Sequence, residues 1–171
     1  MRCSVHRRWN RDDRARHVPP GRSLYLVDIE NLTGSPWPTC AEAGAAIDEL
    51  TLLVPSNPGD HVVVGASRVL GLDVKRWWPD VRVVTGAGPH GADLALLDVV
   101  ADTRWIAARY DRIVVASGDH IFVPVVEALR RRGAVVGVVS RAGSLSRDLR
   151  RSASFTRTWE PAERLMSTAA A

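Results

Sequence analysis

Five short apolar runs punctuate the chain. They are SLYLVD from Ser23, HVVVGAS from His61, VRVVTG from Val81, RIVVAS from Arg112 and AVVGVVS from Ala134. Each is rich in branched aliphatic residues, shows little polar alternation and is bounded by turn formers, which predicts strands buried on both faces. The stretches between them carry a different period. From Thr39 to about Val54, the residues Ala41, Ala45, Ile47, Leu50 and Leu53 recur at helical intervals, and Thr39 with Glu42 three residues on forms a capping-box pattern. Ala92 to about Ala108 predicts a second helix, and Ile121 to Arg132 a third, capped by Asp119 and stopped by Gly133. A weaker helix is expected near Val69 to Trp78. The tail SLSRDLRRSASFTRTW suggests one more helical turn and a short strand. Strands alternating with helices predict a parallel sheet covered on both faces, an α/β three-layer domain around a central, mostly parallel five-stranded sheet.

Composition sharpens this reading only at the chain ends. The 171 residues fit one domain, expected over 23–158, with a basic leader at 1–22 and a short tail at 159–171. No apolar run approaches the ~18 residues of a membrane span, and the arginine-rich start lacks the apolar centre of a secretory signal. Cys3 and Cys40 are too few for a disulfide framework, and no Cys/His cluster has zinc spacing. A cytoplasmic location is the default expectation. The net charge is +4, but arginine concentrates in residues 1–22 and 141–171, while the stretch between holds more acids than bases. An acidic centre flanked by basic segments suits a carboxylate site whose neighbours touch phosphates.

Candidate chemistry lies beyond the carboxyl ends of the strands, where open parallel sheets collect their functional groups. Asp28 closes the first strand, Asp93 opens the helix after the third, and Asp119 follows the fourth through Ser117 and Gly118. If the first and fourth strands are neighbours, Asp28 and Asp119 face one crevice and Asp93 approaches it from a helix start. Carboxylates that close repel by on the order of 4 kcal/mol per pair at an effective dielectric near 20. A hard divalent cation, Mg²⁺ or Mn²⁺, removes that cost and can activate water. Each acid also has an ordinary explanation: Asp119 suits an N-cap, Asp93 the positive end of a helix, and Asp28 a strand end. Their coincidence at one edge, and the cost of a charge inside the first apolar run, favour a metal site formed by Asp28, Asp93 and Asp119. Asp98 lies about 140° around the helix from Asp93, which places it at the rim or behind the ligands.

The segments VDIEN (27–31), GADLALLD (91–98) and VVASGDHIFVPVVEALRRRG (114–133) followed by AVVGVVSR resemble the NYN domain, a branch of the PIN-like ribonuclease superfamily. The resemblance covers roughly residues 23–158. It implies a Rossmann-like PIN fold and metal-dependent cleavage of RNA. By position it makes Asp28, Asp93 and Asp119 the family acids and Asn31 a partner in catalysis, with Ser117 bracing the Asp119 loop. Two positions depart from the pattern. Ile121 stands where a second acid often follows the SGD motif, and His90 with Gly91 stands where a lysine often precedes the helix-start acid. His120, beside Asp119, could serve as a phosphate contact or general acid.

Basic and aromatic residues extend the expectation to a polymer substrate. Lys75, Arg76, Trp77 and Trp78 form a basic-aromatic cluster that could stack unpaired bases, although one indole in the core and one over a loop is the simpler expectation. Trp105 follows helical spacing from Ala101 and is expected in the core. Arg130, Arg131 and Arg132 close a helix, where cations suit the dipole. Arg141, Arg147, Arg150 and Arg151 follow the fifth strand and are the expected contacts to an RNA backbone. Together these readings point to a metal-dependent endoribonuclease acting on unpaired RNA, with a catalytically weak or inactive RNA-binding or interaction module of the same fold as the alternative. A nucleotide-binding domain is less favoured, since no glycine fingerprint or Walker loop follows the first strand. RNA is the expected partner, a membrane is not, and pairing of two copies is left open.

Overall fold

The computed structural model describes residues 21–160; most of the leader and tail expected from the sequence lies outside them. A single parallel sheet runs through the domain. Its strands are β1 (Ser23–Asp28), β2 (His61–Ser67), β3 (Arg82–Gly86), β4 (Arg112–Ala116), β5 (Val135–Arg141) and β6 (Phe155–Trp159). Their order is β3-β2-β1-β4-β5-β6, and every pairing is parallel. The sheet therefore has six strands rather than five. The additional strand is the short one suggested in the tail. It sits at an edge with exposed Arg157 and Thr158, so its pattern is polar, and the Phe155 ring lies over Gly137 of β5.

The helices divide between the two faces. α1 (Ile29–Thr33), α2 (Cys40–Leu53) and α3 (Arg68–Trp77) enclose a core with Tyr25, Val27, Val64, Val114 and Val139. α4 (Gly91–Val99), α5 (Thr103–Arg109), α6 (Val123–Arg131) and α7 (Arg147–Ser152) enclose the other with Leu24, Leu26, Val63, Ile113, Val136 and Val138. Strands β1 and β4 are buried along their whole length, which explains their unbroken apolar runs. The Thr39–Glu42 capping box is formed, and the weak helix between β2 and β3 is present as α3.

Three local expectations need correction. The long helix read from Ala92 to Ala108 is two helices. Asp102 accepts from the Trp105 N–H at 2.9 Å, so a new N-cap interrupts the run where the sequence period continues. The same break turns Trp105 outward. It is 53% exposed, not core, with the Arg109 guanidinium 5.1 Å from its ring centre. The helix expected from Ile121 starts as a 3-10 turn, His120–Phe122, before α6. In the basic-aromatic cluster, Trp78 is buried and Trp77 packs edge-on against it at 5.9 Å, the simpler of the two expected arrangements.

Candidate metal centre

Asp28 ends the central strand β1, next to β4, where the strand order reverses, the position at which open parallel sheets form a crevice. Its Oδ1 accepts the Asn31 N–H at 3.2 Å, capping α1, and its Oδ2 accepts the Ser117 hydroxyl at 3.0 Å. Ser117 belongs to the loop leaving β4, and its Oγ in turn accepts the Asp119 N–H at 3.2 Å. One buried hydroxyl thus joins the two strand-end acids. Asn31 holds the same loop from the other side, with its Oδ1 accepting the Gly118 N–H at 2.9 Å. Gly118 has no room for a side chain, since a Cβ there would meet the Ser144 carbonyl oxygen at 2.2 Å.

Asp93 is delivered from the opposite direction. The start of α4 comes so close to the end of β3 that a Cβ on Gly86 would lie 1.9 Å from the Gly91 carbonyl oxygen. That backbone contact seats the first turn of α4, and with it Asp93, over the crevice. His90 immediately precedes the helix in a left-handed conformation, φ 58°, uncommon for a residue with a side chain. Its ring makes no capping bond to the helix. Nδ1 instead lies 3.2 Å from Asp93 Oδ2 and 3.8 Å from Asp119 Oδ2. One ligand-capable atom from each of His90, Asp93 and Asp119 falls within 4.8 Å of the others.

Asp28 joins this group through Asp93. It is only 4% exposed, and its carboxyl is pushed up to about 8 by burial first, then by the neighbouring Asp93 charge and the hydrogen bond between the two side chains. The donors Asn31 and Ser117 oppose that shift without cancelling it. Near neutral pH, and without a cation, Asp28 therefore holds a proton in contact with Asp93. A divalent ion would replace that proton as the partner of the carboxylates, so the residues present fit a hard or borderline dication.

With the geometry in place, the comparisons become informative. The family model described as the NYN domain matches residues 91–159. That segment runs from the first residue of α4 to the last of β6, and it contains Asp93 and Asp119, while Asp28 and Asn31 precede it. Among solved structures, the chain is similar to a protein of unknown function from Vibrio parahaemolyticus, with TM-score 0.55 and 17% identity, covering 86% of this chain and 97% of that one. At that identity the likeness concerns the fold alone. No curated protein matches the chain significantly.

Among the other residues expected at the site, the structure distinguishes several settings. His120 is largely exposed, with Nδ1 3.0 Å from Asp119 Oδ1, on the side of that carboxylate away from His90. Asp98 is exposed on α4. Ile121 is partly buried against the second core, so the position of the missing acid serves packing. Arg141 is half-buried, its Nε donating to the Asn31 carbonyl at 3.3 Å and its guanidinium lying beside Gly34; it ties α1 to β5. Arg147, Arg150 and Arg151 are exposed on α7, whose cap Ser146 donates its N–H to the Gly118 carbonyl at 2.9 Å. Two neighbours of the site had no role in the sequence reading. His90 was noted only as a departure from the NYN pattern. Glu30, whose Oε1 accepts the Ser67 N–H at 2.9 Å, ties the end of β2 to α1. The glycines and proline around His90 mark a flexible approach in the sequence, but nothing local to them indicates which way the ring turns.

Proposed function

We propose that this chain is a metal-dependent endoribonuclease that hydrolyses phosphodiesters in unpaired RNA at the crevice between β1 and β4. The meeting of Asp93 and Asp119 from separate elements, with Asp28 hydrogen-bonded to Asp93 behind them, carries the reading. Asp93 and Asp119 would hold the cation directly, and Asp28 would join them on losing its proton. Mg²⁺ or Mn²⁺ bound there would supply charge for the developing phosphorane oxygens and an acidified water. The chain's own residues do the rest. Ser117 and Asn31 hold Asp28 and the Gly118 loop in register, so the carboxylates are positioned before substrate arrives. His120, exposed beside Asp119, is placed to contact a phosphate. Arg147, Arg150 and Arg151 offer a basic surface on the helix whose cap leans on the Gly118 loop, suited to a polyanion. Arg141 is committed to Asn31 and contributes by positioning. The expected setting is the cytoplasm; among the described residues no helix is long and apolar enough to cross a membrane.

One observation favours the second reading, an RNA-binding module with weak or no turnover. Ile121 packs against the core where an additional acid would raise the negative charge of the site. A cleavage assay separates the two. Purified protein is incubated with end-labelled single-stranded RNA and Mn²⁺ or Mg²⁺, beside Asp28→Asn and Asp119→Asn. Metal-dependent cleavage that falls by roughly a hundredfold or more in both variants supports the nuclease. RNA retained without cleavage supports the binding module, and cleavage unchanged in both variants contradicts the site.

A further inference from the structure

Building on the metal reading of this crevice, we infer that His90 is a nitrogen ligand of the bound ion, and that the centre selects a first-row transition dication over Mg²⁺. The ring points where a ligand would. Its Nδ1 faces Asp93 Oδ2 at 3.2 Å and Asp119 Oδ2 at 3.8 Å. Two ligands on an octahedral ion with bonds of about 2.1 Å lie roughly 3.0 Å apart when cis and 4.2 Å apart when trans. The observed spacings fall in that interval, so an ion could enter with small side-chain adjustments.

The ordinary alternative, a histidine that merely caps α4, does not describe this residue, because its side chain makes no cap bond. Of the carboxylates it faces, Asp93 is hydrogen-bonded to Asp28 in the metal-free protein, a proton-mediated contact that a dication would replace. Asp119 spends its Oδ1 on the Ile121 N–H at 3.0 Å and on His120, leaving Oδ2 for His90. Half of the His90 side chain remains open, at 56% exposure, so the mixed set leaves one side for water or substrate. One imidazole and two carboxylates on the same side of an ion differ in kind from an all-oxygen set. Mg²⁺ favours oxygen donors and retained waters, whereas imidazole adds affinity for transition ions that it does not add for Mg²⁺.

Electron spin-echo spectroscopy of the Mn²⁺-loaded full chain tests this without relying on turnover. The wild type should show ¹⁴N modulation from a directly bound imidazole. His90→Asn should lose it, while His120→Ala should keep it. Asparagine is chosen because it tolerates the left-handed backbone at position 90, and circular dichroism verifies the fold. In parallel, Mn²⁺ affinity should fall about tenfold or more in His90→Asn while Mg²⁺ affinity changes by less than about threefold. Mn²⁺ bound without ¹⁴N modulation, or modulation that survives in His90→Asn, overturns the inference and leaves the carboxylate site standing. Failure of any divalent ion to bind overturns both.

Discussion

Burial beside a second carboxyl makes Asp28 the side chain whose ionisation this fold resists most, and a pH dependence follows. Its carboxyl is raised to about 8 from an ordinary value near 4. A group raised on folding stabilises fully below its unfolded value, and the contribution is lost as pH climbs through the folded one. The metal-free protein should therefore lose stability between about pH 4 and pH 8 on account of Asp28. Asp28→Asn removes the titrating proton, so at pH 9 the variant should melt higher than wild type by on the order of 2 kcal/mol, roughly 4–8 °C, with little or no gain at pH 4. Thermal melts in a chelator check this, and a variant that is no more stable at pH 9 contradicts it. The acids were legible in the sequence because each stands where a strand ends or a helix begins. The place of His90 beside the acids was not, because it depends on one backbone dihedral and on an Asp119 that lies far away in the chain. Trp105 was misread for the complementary reason: helical spacing gives a face only while the helix continues, and Asp102 ends it.

At the scale of elements, the site depends on how closely α4 meets β3. Gly86 and Gly91 touch through their backbones, so a methyl group at either must push the helix start away. Gly86→Ala should destabilise the fold by about 1–3 kcal/mol through overpacking and should weaken Mn²⁺ binding more than so conservative a change would elsewhere, since Asp93 and His90 travel with the helix. Denaturant melts and a metal titration on the same preparation check both effects; normal stability with normal metal affinity would contradict the role of this contact. The two glycines are visible in the sequence as a loose, glycine-rich approach, but that one lies against the other is a property of the packed sheet. The capping box of α2 was readable because it is local, Thr39 and Glu42 bonding within one turn. The start of α6 was read to within a residue or two, and only its 3-10 entry was missed.

Across the whole molecule, the order β3-β2-β1-β4-β5-β6 brings residues from both halves of the chain to one crevice. That β1 and β4 are neighbours was the condition on which the sequence reading rested, and their parallel pairing from Ser23–Arg112 to Val27–Ala116 meets it. The count of strands was one short because β6 is a polar edge; β3, the opposite edge, was found by its apolar run but is not buried on both faces as that run predicted. Charge is distributed at the same scale: exposed Arg147, Arg150 and Arg151 lie on the helix whose cap leans on the Gly118 loop. Replacing all three by alanine should weaken binding of single-stranded RNA and reduce the slope of log affinity against log salt by about 2, with Mn²⁺ affinity unchanged. An unchanged salt slope would move the RNA path elsewhere on the surface. The claim on which the rest depends is that a dication sits where Asp93, Asp119 and their neighbours converge. Anomalous diffraction from crystals soaked in Mn²⁺ tests it most directly. The expected result is a peak about 2.1–2.3 Å from carboxylate oxygens of Asp93 and Asp119, lost in Asp119→Asn. A strong peak only elsewhere, or none at millimolar Mn²⁺, would contradict it.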